Sequence, residues 1–471
     1  MRSAALESKF DIDFAGYTVP RTGGVWTGAT KQRMLAQVGG GAKALRLFIF
    51  GPEYAFPNNC YSDVANASRI VKEIAEVSGT VGAVESVLWP AKRPRARVAI
   101  LAPRSASYWD EWEATGSHAT GTCLGGCTQS LLARADAYNA EVFALWQALA
   151  IGANVPVDFL SEDGLANRTL TAQYSTIFVT EPNVPAKSLA AAVKWSRAGG
   201  VLVLSPFAGR FSEYNEPSEL LSDLTGVEQP LQPSNYYGQR WILWADSACY
   251  NPQNSWWCNV VNGTTPTTAS SNVSFSAWGV WSALSKGNAT TLAAFSDKSA
   301  SPAVTSSSVG QGEVIQFGFW PGISWSYSQV STGPGAQSQP PKPAWAPAAA
   351  MLEMLLGVLP EADRRGPVVA SLPSVETPLL LAPDGKSAII TVLDWRRVYS
   401  GPCESPCESL AENVTLSATL PFRVATADEV FEGRLRPVPF AQTATSVNLT
   451  LSLQYVAVLQ LSATKSDDES A

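Results

Sequence analysis

Short apolar runs separated by helical stretches organise the middle of the chain. Four of them are Arg97-Val-Ala-Ile-Leu-Ala-Pro103, Pro156-Val-Asp-Phe-Leu160, Tyr174-Ser-Thr-Ile-Phe-Val-Thr180 and Gly199-Gly-Val-Leu-Val-Leu-Ser-Pro206. Near-continuous apolar strands alternating with helices predict a parallel sheet covered on both faces. Between the first two runs, Leu131, Ala135, Tyr138, Val142, Leu145 and Leu149 recur at spacings of four and three, a helical stripe over 130–151. A second helix, over Ala186–Ala198, is stopped by Gly199-Gly200. Such open sheets bind ligands beyond the carboxyl ends of their strands. Here those ends carry Arg104-Ser-Ala-Ser-Tyr108, Ser161-Glu-Asp-Gly164, Glu181-Pro-Asn183 and Pro206-Phe-Ala-Gly209. None has the form of a phosphate loop or a nucleophile turn.

The flanking patterns differ. Phe10–Phe14 alternates like a strand, a helix follows over Thr30–Val38, a strand ends at Phe50, and Asn66–Val77 has a helical face of Ile70, Ile74 and Val77. Two parallel strands cannot bury both of their faces. Their natural completion is a (β/α)8 barrel whose other units lie upstream of Met1 or are missing. Residues 231–330 turn β-like and aromatic, as in Arg240–Trp244, Thr291–Phe295 and Glu313–Trp320, and a short helix follows at Ala346–Leu356. From Val375 to Leu461 the pattern alternates with turn signals such as Asp384-Gly385, which predicts a small antiparallel β-sandwich. The expected fold is therefore α/β and multidomain. A barrel remnant occupies 1–92, an open α/β domain 93–360 with a β-rich insertion at 231–330, and the sandwich 372–464.

Length supports this division, because 471 residues exceed what a single core organises. A net charge of −7 without basic clusters argues against a nucleic-acid partner, and no apolar run is long enough to span a bilayer. Seven Asn-x-Ser/Thr sequons occur, at Asn66, Asn167, Asn262, Asn272, Asn288, Asn413 and Asn448. With 17 Asn and this Ser/Thr content, chance gives about three. Six of the seven cysteines fall in close pairs, Cys123/Cys127, Cys249/Cys258 and Cys403/Cys407, each in a Gly-, Pro- or Asn-rich loop. Local disulfides are the leading reading. A zinc site would need distant loops to converge around a single histidine, and Cys60 is left over. Sequons and cysteines together predict a secretory-pathway glycoprotein, although Met1–Phe10 has no signal-peptide core. We therefore expect a longer parent protein.

Candidate chemistry is sparse. His118, the only histidine, sits in a loop away from any strand end and is read as an exposed loop residue. Asp13 (with Asp11) on one barrel-like strand and Glu53 just after the other are candidate substrate contacts, since carboxylates at such positions perform acid/base or nucleophilic work. Their plainer reading is a rim salt bridge. Trp26 and Tyr54 are candidate sugar-stacking rings, with core packing as the alternative. No motif implies a metal or an organic cofactor. Gly310-Gln-Gly312, which has the punctuation of a ligand loop, runs into a strand rather than a helix and is read as a hairpin turn.

The run Gly41–Tyr54, with Arg97-Val-Ala-Ile-Leu101, Val157-Asp-Phe-Leu160, Ala198–Ser205, Leu224-Thr-Gly-Val227, Gly310–Gly322 and Ser374–Leu380, resembles the C-terminal half of family 42-type β-galactosidases. The resemblance implies the end of a (β/α)8 barrel, a flavodoxin-like domain of the class I glutamine amidotransferase kind, and a β-sandwich. It also implies carbohydrate as partner and homo-oligomers, often trimers, assembled through the amidotransferase-like domain without amidotransferase activity. Where an amidotransferase would carry its cysteine, this chain has Thr180-Glu-Pro-Asn183. The family's acid/base glutamate belongs to a mid-barrel strand this chain does not contain. Its nucleophile should fall near Phe10–Phe14, where only Asp11 and Asp13 occur. The expectation is a glycosidase-like protein whose catalytic pair is not complete in this chain. The alternative is a non-enzymatic glycoprotein that uses the same scaffold for carbohydrate binding or assembly.

Overall fold

The computed structural model describes residues 15–18, 29–47, 67–102, 104–109, 137–167, 172–225, 258–264, 272–278, 284, 287–296, 300–328, 345–395, 412–444 and 446–463. At its centre is a nine-stranded sheet. Its parallel half contains β3 (Val98–Leu101), β4 (Val157–Leu160), β5 (Thr176–Val179), β6 (Val201–Leu204) and β11 (Gly312–Phe317), arranged β4-β3-β5-β6-β11. Alternate residues of each strand enter different cores, as the period of two demands. Val98, Ile100, Phe178, Val203 and Ile315 join one cluster with Leu145, Leu149, Trp325 and Met354. Ala99, Leu101, Ile177, Leu202 and Val314 join another with Leu189, Ala192 and Leu221. All of these partners but Leu221, which lies in a turn, come from α3 (Ala137–Trp146, continuing as a π-helix over Gln147–Gly152), α5 (Ala186–Arg197), α6 (Pro321–Ser328) and α7 (Trp345–Gly357). The short α4 (Glu162–Ala166) follows β4.

The sheet continues antiparallel beyond β11 through β10 (Pro302–Val309), β9 (Thr290–Phe295), β7 (Cys258–Thr264) and β8 (Asn272–Trp278). The β-rich segment expected as an insertion thus extends the central sheet, with Phe275, Ala277, Ala293 and Phe295 in the same core as the parallel strands. The β10–β11 turn explains the glycine punctuation. Gly310 has φ +62°, and a Cβ on Gly312 would lie 2.0 Å from the Ser196 carbonyl oxygen and 2.4 Å from that of Gly200. The hairpin approaches the end of α5 too closely for any side chain there.

Two antiparallel sheets form the C-terminal region. One pairs β12 (Val368–Ala370), β16 (Glu412–Ala418), β20 (Val447–Leu453) and β19 (Phe440–Gln442) in that order. The other orders β13 (Val375–Glu376), β15 (Ser387–Asp394), β21 (Val456–Ala463), β17 (Val424–Phe431) and β18 (Arg434–Pro437), with β14 (Leu379–Leu381) also on β15. Leu416, Leu449 and Leu451 of the first sheet share a core with Ile390, Val392 and Leu459 of the second. The first sheet begins at Val368, a few residues before the boundary expected at 372. Asn154, at φ +56°, ties the two regions together: its amide nitrogen donates to the Val375 carbonyl (2.7 Å), and its oxygen accepts from the Ala370 amide (3.0 Å).

The N-terminal elements are β1 (Ala15–Thr18) and β2 (Ala44–Leu47), paired in parallel, with α1 (Ala29–Gly39) and α2 (Ala67–Leu88). Glu73 of α2 accepts from the Thr30 and Lys31 amides at 3.0 and 3.1 Å, satisfying the free N–H groups that open α1. Lys43 donates to the Leu88 and Ala91 carbonyls at the end of α2. Both helices pack on the outer face of the six-stranded sheet: Met34, Leu35, Val77 and Val84 meet Leu380, Ile389 and Val458. That contact accounts for the burial of β15 on both faces. No helix among the described residues is long and apolar enough to cross a membrane.

Candidate functional site

In the parallel half, the first strand in sequence, β3, lies between β4 and β5, the 2-1-3-4-5 arrangement of flavodoxin-like sheets. The chain leaves β3 and β5 in opposite directions, which places a crevice beyond their carboxyl ends. Arg104 and Ser105 follow β3, Glu162 and Asp163 follow β4, and Thr180, Glu181 and Asn183 follow β5. Ser161 caps α4 by accepting from the Gly164 amide at 2.9 Å, which fixes Glu162 at the first helical position.

Glu162 is fully engaged. One carboxylate oxygen accepts from the Arg104 and Ser105 amides (3.2 and 2.7 Å), and the other accepts from the Ser105 hydroxyl (2.8 Å). Arg104 adds an ion pair at 3.5 Å. The carboxylate thereby serves the free N–H groups opening the helical turn at 105–109. Glu181, by contrast, is fully buried with one oxygen accepting from the Thr180 amide and hydroxyl, both at 3.2 Å, while the other has no partner. Burial, reinforced by the charge of Glu162 and opposed by the Thr180 bonds, pushes its carboxyl up to about 8. It is a neutral acid at pH 7.

The loops after β5 and β6 seal this end. The Gly209 amide donates to the Glu181 carbonyl (2.9 Å), Phe211 to Pro182 (2.9 Å) and Val184 to Phe211 (3.0 Å). The Asn183 amide adds bonds to the Asn215 side chain and the Ser212 carbonyl. Phe207, buried at φ +64°, makes the tight turn that brings the second loop across. Among the described residues the rim is open at Arg104, Asp163, Tyr108 and Tyr214. A neutral carboxylic acid can act as a general acid, but here neither glutamate can reach a bulky substrate such as a glycoside.

Asp13, Asp11, Trp26, Glu53, Tyr54, His118, Asn66, Cys60, Cys123, Cys127, Cys249, Cys403 and Cys407 lie outside the described residues. Cys258, Asn262 and Asn272 fall on β7 and β8. Asn167, Asn288 and Asn413 are exposed and Asn448 is half-buried. Sequence reading located the strand ends but missed the buried carboxyls. A third, Glu141 on α3, accepts from the Gly322 and Ile323 amides (2.9 and 2.8 Å) at the start of α6, and burial pushes it up to about 7 against those bonds. No sequence signal marks it, since its partners are backbone groups 181 and 182 residues away.

No protein-family model and no curated protein matches the chain. Its fold is of the glycoside hydrolase family 42 kind, mixed α/β and multidomain. A catalytic mutant of a family 42 β-galactosidase from G. stearothermophilus superposes with a TM-score of 0.57 at 14% identity, covering 93% of this chain and 51% of that one. The β-galactosidase from Bacillus circulans sp. alkalophilus gives 0.58 at 13%, covering 92% and 52%. The α-L-fucosidase isoenzyme 2 from Paenibacillus thiaminolyticus gives 0.55 at 14%, covering 93% and 58%. The chain thus spans between half and three-fifths of the length of these enzymes, and at such identities the likeness is one of fold.

Proposed function

We propose that this chain is the C-terminal part of a secreted, β-galactosidase-type glycoside hydrolase acting on carbohydrate. The observation that carries this reading is the extent of the structural match: more than nine-tenths of the chain superposes on about half of each of two β-galactosidases. In this reading β1, β2, α1 and α2 finish a (β/α)8 barrel, and the parallel-sheet domain serves homo-oligomer assembly. The carboxylates of hydrolysis belong to barrel strands. The sealed state of Glu162 and Glu181 supports placing the chemistry elsewhere. The test is turnover of a panel of chromogenic galactosides and fucosides by the full-length protein. Turnover that survives Glu162→Gln and Glu181→Gln is the expected result, and its loss in either correctly folded variant would refute the assignment.

A second reading, carbohydrate binding without hydrolysis, draws on an open groove of about 540 Å³ at one end of the two-sheet region. Phe422, Arg423, Gln442 and Thr443 line it, and its size lies within the usual range for ligand sites. Saturable binding of galactosides with no turnover by the full-length protein would favour it.

A further inference from the structure

We propose that the outer face of the four-stranded sheet carries N-linked glycans at Asn413 and Asn448, attached before the sheet closes. The proposal rests on the secretory reading above and deepens it. In β16 the residues Val414, Leu416 and Ala418 are buried, as are Val447, Leu449, Leu451 and Leu453 in β20. The alternate positions form the outer face: Asn413, Thr415 and Ser417 on one strand, Asn448, Thr450 and Ser452 on the other. All six are small, polar and uncharged. The two-residue period of a strand puts a sequon's Asn and its hydroxyl residue on the same side, so both acceptor sequences face outward in full.

Their register is informative. Thr415 is paired with Thr450, Asn413 with Ser452 and Ser417 with Asn448. The two threonine hydroxyls lie 3.2 Å apart, within hydrogen-bonding distance. The sequons therefore cross at their threonines. The two asparagines are offset by four residues along the strands, about 14 Å, which leaves room for a glycan on each. A second pair lies in the central sheet with a different register, each asparagine facing the other sequon's hydroxyl residue: Asn262 is paired with Ser274 and Thr264 with Asn272. Four of the seven sequons thus form two cross-strand pairs.

Order of events follows from the same geometry. Each strand is flanked on both sides, β16 by β12 and β20, and β20 by β16 and β19. Once these ladders and the threonine contact exist, neither sequon can enter a transferase as a free extended segment. In the transfer, the Asn side-chain nitrogen attacks the anomeric carbon of a lipid-diphosphate-linked oligosaccharide. The C–N bond forms as the C–O bond to the diphosphate breaks; the lipid diphosphate leaves with the electron pair, and the nitrogen gives one proton to a base on the transferase.

The test is glycopeptide mass spectrometry on the full chain secreted from a eukaryotic host behind a cleavable leader, with enzymatic deglycosylation in heavy-oxygen water marking each modified Asn. Modification of both Asn413 and Asn448 is expected, with Thr415→Val abolishing the first alone and Thr450→Val the second alone. Unglycosylated folded protein, incubated with the transferase and lipid-linked donor, should stay unmodified at both sites until denatured. Modification of Asn167 or Asn288 without both Asn413 and Asn448 would overturn the proposal and leave the secretory reading standing. A chain that is secreted with no glycan would also overturn it, whereas failure to be secreted would overturn both. Efficient transfer to the folded protein would refute the order of events.

Discussion

Replacing Glu181 by Gln isolates the cost of keeping a carboxyl in the sealed end of the parallel sheet. The native carboxyl titrates near 8 against an ordinary 4.5. Between those values the folded protein holds a proton that the unfolded chain has released, so stability is highest below pH 4.5 and is lost as pH rises through 8. At about 1.4 kcal/mol per tenfold change in proton affinity, the full swing is roughly 5 kcal/mol, and relaxation and water entry should reduce it to a few. Charged groups at this end among the described residues include Arg104, Glu162 and Asp163, with Arg210, Glu213 and Glu216 in the loop after β6. Glu141, near 7, contributes a fall of the same sign that is complete at lower pH. Urea unfolding midpoints of both proteins, in which the Glu141 contribution is common, should therefore be compared from pH 5 to 9. The wild type should lose stability across this window, the E181Q protein should follow a flatter line, and the two should be closest at the acidic end. Parallel lines would refute the assignment of that fall to Glu181.

Further substitutions probe packing. Gly312→Ala places a methyl 2.0 Å from the Ser196 carbonyl and should cost at least about 2 kcal/mol in thermal unfolding, whereas Gly82→Ala on α2, with nothing within 4 Å, should be neutral or stabilise by up to about 1 kcal/mol. Asn154→Ala removes both bonds between the parallel-sheet region and the C-terminal pair of sheets at a left-handed position. It should destabilise by about 2–4 kcal/mol, and by more than Asn154→Gly, which keeps the backbone conformation, as read from chemical denaturation. Glu141→Leu leaves the Gly322 and Ile323 amides unpaired and should lower the unfolding midpoint by the equivalent of about 2–5 kcal/mol, with earlier hydrogen exchange in α6.

The four strands β3 to β6 were legible because they are apolar on both faces, so their signal does not depend on phase. The helix expected to stop at Val77 instead runs to Leu88 through Gly79 and Gly82. Val84 and Leu88, packed against the six-stranded sheet, outweigh the poor helix propensity of those glycines. The segment after residue 231 read as an insertion because periodicity identifies strands and says nothing of their neighbours. Pairing of Val201 with Glu313 is invisible in local pattern. For the site, Glu162 and Glu181 were visible as strand-end residues, but their burial is imposed by loop-to-loop backbone bonds such as Gly209 to Glu181. Those bonds depend on the turn at Phe207, a non-glycine in a left-handed conformation that composition would not suggest.

The position of β11 also sets a timetable for synthesis. It joins the parallel and antiparallel halves of the sheet, yet its partner β6 ends at Leu204 and β11 itself is complete only at Phe317. At about 5–20 residues per second, the ribosome needs roughly 6–23 s to supply the 113 intervening residues. Throughout that interval the edge of Val201–Leu204, three of whose four residues end buried, has no strand to pair with. An unpaired apolar edge of this kind is a template for association with other chains. Aggregation during expression should therefore depend on translation speed between residues 205 and 317, with slow codons there lowering the soluble yield and slow codons after 320 leaving it unchanged.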